Sequence, residues 1–306
     1  MRIPLVSSAL AFVVACNAAA VVHAADSDSR ETRREQEAAL AAELVTLPPL
    51  AFPAEPLPLG DDFPLFIGVD DTTISTYRIE VPGGAAAPQF TGFQAWGAAY
   101  DANGDQVYFN NGSQLFVWPV GGAPTLVGTI TDGANPLSFV ALAWYDGALY
   151  GARNIANEAV YTIDTTSLVA TVHIDYLDAD FDFGGLAIDQ ATGEIYATND
   201  DATPFGSGLY RINLNATGTL IAAYPAGQTD IDGLAVGGGS AFLVTDEPGD
   251  IFVWSFAGGA YTTPIPNPWT TSEVFSSGAW IEPVATMPFL DGFESEDTSA
   301  WSLTQP

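Results

Sequence analysis

The feature that most constrains the fold is a repeat with a period of about 44 residues in the middle of the chain. Self-similarity at a fixed period of this size is typical of propellers and other repeat architectures. The segments follow one another at spacings of 44, 44, 48 and 44 residues. They are GAAYD from Gly97, ALAWY from Ala141, GLAID from Gly185, GLAVG from Gly233 and SGAWI from Ser277.

Each repeat contains short apolar runs separated by turns rich in Gly, Asn and Asp, for example IYATN, then GLYRINL, then TLIAAYP. Runs of this length, with no long pattern of period 3.6, are typical of β-strands. Four antiparallel strands per repeat form a propeller blade. The sequence therefore predicts an all-β chain with a β-propeller over residues 61–284.

The third residue of every repeat is alanine, and an aromatic or branched residue follows it. The first strand of each blade lies against the axis of a propeller, where neighbouring blades crowd together and demand small side chains. We expect the larger residue to point the other way along the pleat and fill the gap between blades. The alanines are Ala99, Ala143, Ala187, Ala235 and Ala279.

The last of these segments, from Ser277, has no further strands after it, whereas PLFIGVDD and TTISTYRIEV near residue 64 lack a first strand. We therefore expect the last strand of the domain to complete the first blade and close the ring. This count predicts five four-stranded blades. Six blades remain the alternative if part of 36–60 supplies further strands.

The two ends of the chain differ from this domain. Residues 1–24 have one basic residue, an apolar run and a small-residue cleavage site, the pattern of an export signal. The alternative is a lipoprotein attached through Cys16. Residues 25–60 are charged and then proline-rich, as in an arm or linker, and 285–306 form a C-terminal tail. The chain is therefore predicted to be exported to the periplasm or the outside.

Composition excludes several kinds of function. The chain has 37 acidic residues against 7 arginines and no lysine, for a formal net charge of -30. Such a surface repels phosphate backbones and anionic lipid, which argues against nucleic acid and membrane partners and favours cationic ones. Beyond the export signal there is no cysteine, and His173 is the one histidine. Thiol, Ser-His-Asp and histidine–metal chemistry are thereby disfavoured.

Polar side chains stand where the second strand of each repeat ends. If these positions are equivalent, they converge at one mouth of the channel and form an oxygen-rich collar of the kind that holds calcium. The alternative is that they only begin the next turn by bonding their own backbone. The collar consists of Asp70, Asn110, Arg153, Asn199 and Asp246. Arg153 is a cation and fits a metal site poorly; it would suit an anionic ligand.

A second set of residues precedes each first strand by three positions and should open on the same mouth. Asp182 and Asp230 are its acidic members, candidates for ligand binding or for acid–base catalysis, with Asp232 beside Asp230 and with Asp178 and Asp180 upstream of Asp182. Trp96, next to one of these loops, is a candidate sugar platform or a packing residue. The full set is Gln94, Ser138, Asp182, Asp230 and Val274.

The runs GLAID, GEIYATND and GLYRINL together resemble the repeat of NHL and SMP-30/gluconolactonase-like secreted propellers. The resemblance covers roughly residues 61–284. It implies a propeller with a metal held at its mouth by carboxylate and amide side chains, which by repeat position would be Asp70, Asn110, Asn199 and Asp246. The ending DGFESEDTSAWS resembles a tail found on otherwise unrelated exported proteobacterial proteins and implies sorting, not chemistry.

Three hypotheses about function follow. The first is an exported, non-catalytic and monomeric propeller that binds a protein partner, a glycan or a small ligand at its acidic mouth. The second is a calcium-dependent hydrolase of the lactonase or esterase type that uses the collar. The third is a glycosidase with a carboxylate pair, Asp182 with Asp230 or Asp70 with Asp246.

Overall fold

The computed structural model describes residues 62–153, 155, 158–176 and 181–282. The predicted signal, arm and tail lie outside these residues, as do Cys16, Asp178 and Asp180. The described part is all-β and forms five sheets of antiparallel strands around one axis. No helix among these residues has the length and hydropathy needed to span a membrane.

Blades 1 to 3 each contain four strands. Blade 1 consists of β1 (Leu65–Val69), β2 (Tyr77–Ile79), β3 (Ala86–Pro88) and the last strand of the chain, β21 (Ser276–Trp280). Blade 2 consists of β4 (Gly97–Asp101), β5 (Gln106–Asn110), β6 (Gln114–Pro119) and β7 (Thr125–Thr129). Blade 3 consists of β8 (Ala141–Tyr145), β9 (Ala148–Ala152), β10 (Ala159–Ile163) and β11 (Ala170–Asp175).

Blade 4 consists of β12 (Leu186–Ile188), β13 (Ile195–Asn199), β14 (Gly208–Asn213) and β15 (Thr217–Ala223). Blade 5 consists of β16 (Gly233–Gly237), β17 (Ser240–Val244) and β18 (Asp250–Ser255), with its outer edge divided between β19 (Ala260–Tyr261) and β20 (Ile265–Pro266). The prediction of a five-bladed propeller is confirmed.

Closure of the ring is confirmed as well. β21 pairs antiparallel with β1 over five residues, from Leu65 opposite Trp280 to Val69 opposite Ser276. The last strand of the domain therefore supplies the innermost strand of the first blade. A seam closed by backbone hydrogen bonds leaves no open inner edge between the ends of the ring.

The small residues of the repeat lie where the first strands approach one another. All five repeat alanines are buried. A Cβ added to Gly97 would lie 2.7 Å from the backbone nitrogen of Leu142 on the neighbouring first strand, so a larger residue does not fit there. The first strands line a cavity of only about 30 Å³ at the axis, room for little more than water.

The aromatic or branched residue after each alanine packs against the preceding blade, as predicted. Trp144 of blade 3 stacks on Tyr108 of blade 2, with 5.3 Å between ring centroids. Trp280 of blade 1 stacks on Phe242 of blade 5 at 5.2 Å. Such ring pairs contribute about 0.5–1.5 kcal/mol beyond their buried area. Five apolar clusters, one at each seam between neighbouring blades, make up the core.

Candidate functional site

Antiparallel pairing places the start of each first strand beside the end of the second strand, so both predicted sets of residues lie at one end of the ring. The pairs at this end are Gly97 with Asn110, Ala141 with Ala152, Gly233 with Val244, and Ser277 with Gly68. The five collar residues are not equivalent in this register. Asn110 is level with its first strand, whereas Asp70 and Asp246 stand two residues beyond theirs. The five positions therefore do not form one level ring, and metal binding by any of them stays a prediction.

Asn110 binds backbone and joins blade 2 to blade 3. Its Oδ1 accepts a hydrogen bond from the Gly97 nitrogen at 3.1 Å, and its Nδ2 donates to the carbonyl oxygens of Gly112 and Phe139 at 2.9 and 2.6 Å. The side chain is fully buried. Both ends of the amide are thus occupied by backbone groups of its own blade and of the segment that enters blade 3. This is the local structural role that the sequence offered as the alternative to metal binding.

Asn199 has a similar role in blade 4. Its Oδ1 accepts from the Asp182 nitrogen at 2.8 Å, and its Nδ2 donates to the carbonyl oxygens of Asp201 and Gly206, both at 3.0 Å. It therefore ties the loop before the first strand to the loop after the second. Asn199 shapes the mouth of this blade through its backbone contacts.

Asp70 binds the segment that leads into the closing strand. Its Oδ1 accepts from the nitrogens of Val274 and Phe275 at 3.0 and 3.1 Å. Burial raises the pKa of Asp70, and the two backbone donors oppose part of that rise. Burial also raises the pKa of nearby Glu273, helped by the charges of Asp70 and Asp71. Glu273 donates its backbone nitrogen to the Asp246 carbonyl at 2.9 Å, and sequence reasoning passed over it in favour of Val274.

The side chains of Arg153 and Trp96 both make contacts with neighbouring residues of the protein. Arg153 donates from Nε to the Ser138 carbonyl at 3.0 Å, and its guanidinium lies 5.8 Å from the centre of the Tyr161 ring. Trp96 is completely buried and stacks on Phe275 at 4.6 Å. A sugar platform needs an exposed ring face. The buried Trp96 ring therefore fits the packing role and not the sugar platform.

The structure brings together three carboxylates at the rim between blades 4 and 5. One oxygen from each of Asp200, Asp230 and Asp232 lies within 4.8 Å of the others. Asp200 follows β13, whereas Asp230 and Asp232 lie in the connection that enters β16. Asp232 is only 2% exposed, Asp200 is half-buried and Asp230 is exposed. Sequence reasoning found Asp230 and Asp232 but missed Asp200, because it assigned the strand end to the neighbouring Asn199.

Neighbouring groups hold the cluster in place. Asp200 Oδ1 accepts from the Tyr224 hydroxyl at 2.7 Å and from the Ile231 nitrogen at 3.0 Å. Burial, the charge of Asp200 and this hydrogen bond raise the pKa of Tyr224 well above its usual value, so the phenol keeps its proton and donates. The backbone also lies close, since a Cβ on Gly184 would be 2.7 Å from Asp232 Oδ1 and 2.8 Å from Asp200 Oδ2.

Asp182 reaches this rim through its backbone. Its carbonyl accepts from the Asp200 nitrogen at 2.9 Å, and its side chain is half-exposed. The two acidic residues predicted for ligand binding, Asp182 and Asp230, therefore belong to the same blade seam as Asp200. Oxygen donors from two blades at this spacing are suited to a hard cation or to a cationic group of a ligand.

No protein-family model and no curated protein matches the chain. A chain of a nidogen/laminin complex is similar, with 12% identity and a TM-score of 0.47, over 70% of this chain and 97% of that one.

Two further solved structures are similar. A Bacteroides thetaiotaomicron protein of unknown function has 13% identity and a TM-score of 0.48, over 76% of this chain and 68% of its own. TolB from Acinetobacter baumannii has 10% identity and a TM-score of 0.45, over 72% and 67%. At this level of similarity no ligand or activity carries over, and the resemblance to NHL and SMP-30/gluconolactonase-like repeats stays a prediction from its motifs.

Proposed function

We propose that this protein is an exported binding propeller whose acidic mouth takes a calcium ion between blades 4 and 5 and recognises its ligand there. The observation that carries the proposal is the convergence of the Asp200, Asp230 and Asp232 carboxylates within 4.8 Å. They come from two separate segments of the chain, so only the assembled ring creates the arrangement.

The all-oxygen donor set favours calcium among the common divalent ions. Calcium is a hard cation that accepts carboxylate oxygens at about 2.3–2.6 Å in a flexible geometry. The three carboxylates lie within 4.8 Å of one another, close enough for one such ion to contact all of them. Magnesium draws its ligands to about 2.0–2.1 Å and demands a regular octahedron. A calcium ion also takes six to eight oxygens, so three carboxylates leave positions for water or for oxygens of a ligand.

The unfavourable electrostatic energy of three clustered carboxylates without a cation supports the same proposal. Asp232 is almost completely buried beside two further carboxyl groups. Like charges at this distance repel one another, and burial makes the charged form less favourable still. A bound cation offsets both effects. The Asn110 and Asn199 amides are occupied by backbone contacts, so the collar-based hydrolase gains no support from them.

Thermal unfolding of the purified full chain in EDTA and in calcium tests the proposal. At a calcium concentration 100 times the Kd, binding to the folded state adds about 2.7 kcal/mol to the free energy of unfolding. For a domain of this size that raises the melting temperature by about 5–11 °C. We expect Asp232→Asn to remove the shift, because it keeps the shape of the side chain and removes its charge.

Asp175→Asn is the matched control, because Asp175 is an exposed acid at the end of outer strand β11 of blade 3 and is not one of the three clustered carboxylates. It should keep the calcium shift. An unchanged melting temperature in calcium, or a shift that Asp232→Asn retains, would refute the calcium site. Turnover of lactones, esters or aryl glycosides by the calcium-loaded chain, lost in Asp232→Asn, would replace the binding function with a hydrolase.

A further inference from the structure

The outer strand of blade 4 differs from the outer strands of the other blades. β15 runs from Thr217 to Ala223 and is the longest strand among the described residues. It is the last strand in the order β12-β13-β14-β15, so one of its edges carries no further strand of that sheet. An edge of this kind presents backbone donors and acceptors that can pair with another extended segment.

β15 also lacks two of the features that natural proteins use to block such pairing, charge and proline, and its β-bulge, at Ile221, lies near its C-terminal end. Its sequence, TGTLIAA, contains no charged residue and no proline. β3 has three residues and ends in Pro88, β11 carries His173 and Asp175, and blade 5 divides its edge into two strands of two residues. β7 is uncharged, but it has five residues, and the chain just after it is bridged to blade 3 through Thr131 and Val169. Short, charged or covered edges resist pairing.

Two exposed apolar side chains flank this edge. Phe205 and Leu220 are each 45% exposed. Leu220 Cδ1 lies 2.9 Å from the place where a Cβ would stand on Gly208, at the base of the loop that carries Phe205. The Phe205 ring is held by stacking on Phe181 at 4.6 Å. The edge and these two side chains form one surface, which we name the blade 4 edge.

Part of the blade 4 edge is already covered. The Tyr261 hydroxyl of blade 5 donates to the Ala223 carbonyl at 3.1 Å. This contact closes the end of the strand, and the β-bulge at Ile221 interrupts the register just before it. The regular part of the strand, Thr217 to Leu220, is left for pairing, and this length lies within the range of natural β-strands.

The charge of the chain decides what the occupant is. The formal net charge is -30, with no lysine, and Asp200 and Asp201 begin the loop whose tip carries Phe205. A second copy of the chain would be repelled, and so would its own ending DGFESED, which carries four acidic residues in seven. We propose that the blade 4 edge binds an extended basic segment of a partner protein, which adds a strand to β15 and places apolar side chains against Leu220 and Phe205.

The blade 4 edge adjoins the calcium site through Asp200, so the test of this inference is run in EDTA, where the two proposals can fail separately. The probe is a fluorescent synthetic peptide that alternates valine and lysine, titrated into the full chain and followed by anisotropy. Peptides that alternate valine with glutamate, and serine with lysine, are the comparison probes. We expect only the valine–lysine peptide to bind, and its binding to weaken as salt is raised.

Leu220→Lys is the decisive variant, because it adds a blocking charge to the edge and removes an apolar contact. It should weaken peptide binding about tenfold or more, a loss of about 1.4 kcal/mol or more. Leu214→Lys is the matched control, since Leu214 is 72% exposed in the turn before β15 and should leave binding unchanged. Circular dichroism and melting show whether both variants fold. Hydrogen exchange should show new protection of the amides of β15 in the complex.

Several results would overturn the inference. Equal binding of the glutamate peptide would remove the charge argument, and equal binding of the serine peptide would remove the apolar contacts. Protection that appears elsewhere than β15, or equal losses in Leu220→Lys and Leu214→Lys, would place the peptide on another surface. Dimers in sedimentation that Leu220→Lys dissolves would make a second copy the occupant.

Discussion

Asp70 and Asp200 stand at the same place in their repeats, yet they have different partners. They lie two residues beyond Gly68 and Thr198, which pair with the first residues of the repeat segments, Ser277 and Gly185. Asp70 accepts hydrogen bonds from Val274 and Phe275, in the segment that enters its own blade. Asp200 accepts from Tyr224 and Ile231, in the connection to the next blade, and joins two other carboxylates. One repeat position therefore serves closure of the ring in blade 1 and a charged rim in blade 4.

The difference shows that position in a repeat does not assign a role by itself. Asp70 is isolated from the Asp200 cluster and is buried at 5% exposure, so its carboxylate is compensated by backbone donors. Asp200 has one such backbone donor and lies beside Asp232. We infer that removing the carboxylate destabilises the fold at Asp70 and mainly affects cation binding at Asp200. The predictions below test this contrast.

The largest effect should come from removing the closing strand. A chain that ends at Phe275 lacks β21, and with it five paired residues and the Trp280 stack on Phe242. We expect it to lose cooperative thermal unfolding, because the ring opens and two seams are exposed. A chain that ends at Glu282 is the control and should unfold cooperatively. A folded monomer ending at Phe275 would contradict the role of β21.

Asp70→Ala should destabilise the fold by about 2–4 kcal/mol, because two backbone N–H groups lose a charged acceptor in a buried place. Asp200→Ala should change the stability of the calcium-free protein by less than about 1 kcal/mol, because relief of repulsion offsets the lost hydrogen bonds. Urea unfolding in EDTA measures both. Equal losses would show that the two residues share one structural role.

Tyr224→Phe should cost about 1 kcal/mol of stability, since it removes one hydrogen bond to Asp200. We also expect calcium binding to change less than in Asp232→Asn, because the three carboxylates remain. Calorimetric titration of calcium into Tyr224→Phe and into Tyr261→Phe, a phenol outside the cluster, checks this. A loss of calcium binding as complete as that in Asp232→Asn would make Tyr224 part of the site.

The smallest effect is a pH dependence at Asp70 and Glu273. Both pKa values are raised in the folded protein above their ordinary 3.8 and 4.5. The folded state then binds more protons than the unfolded state in the window between the ordinary and the raised values, so stability falls as pH rises through that window. The contribution is complete below the ordinary values.

Melting temperatures from neutral to acid pH, in EDTA, measure this pH dependence of stability. We expect acidification to stabilise the wild-type chain more than Asp70→Asn, because the variant cannot take up that proton. Glu273→Gln should reduce the slope less, since Glu273 is more exposed than Asp70. The same slope in wild type and both variants would show that general relief of charge repulsion, and not these two groups, governs the response.

Much of the fold followed from local pattern. The alanines from Ala99 to Ala279 marked the first strands. The segment from Ser277 has no further strands after it, and this indicated the closure that β21 and β1 form. These predictions succeeded because packing around an axis imposes the same demand on every repeat. The collar did not follow, because Asn110 is the last residue of β5 whereas Asp70 stands beyond the end of β1, so the two lie at different heights in the ring.

By itself, the sequence determined the fold class, a favoured count of five blades, the way the ring closes and the acidity of the chain. These properties arise from short-range patterns and from composition, which each repeat carries within itself. Only the tertiary structure decided which acids meet. Asp200 and Asp232 are 32 residues apart in the chain, and their separation depends on the register of β13 and on how blade 4 packs on blade 5, which a repeat pattern does not encode.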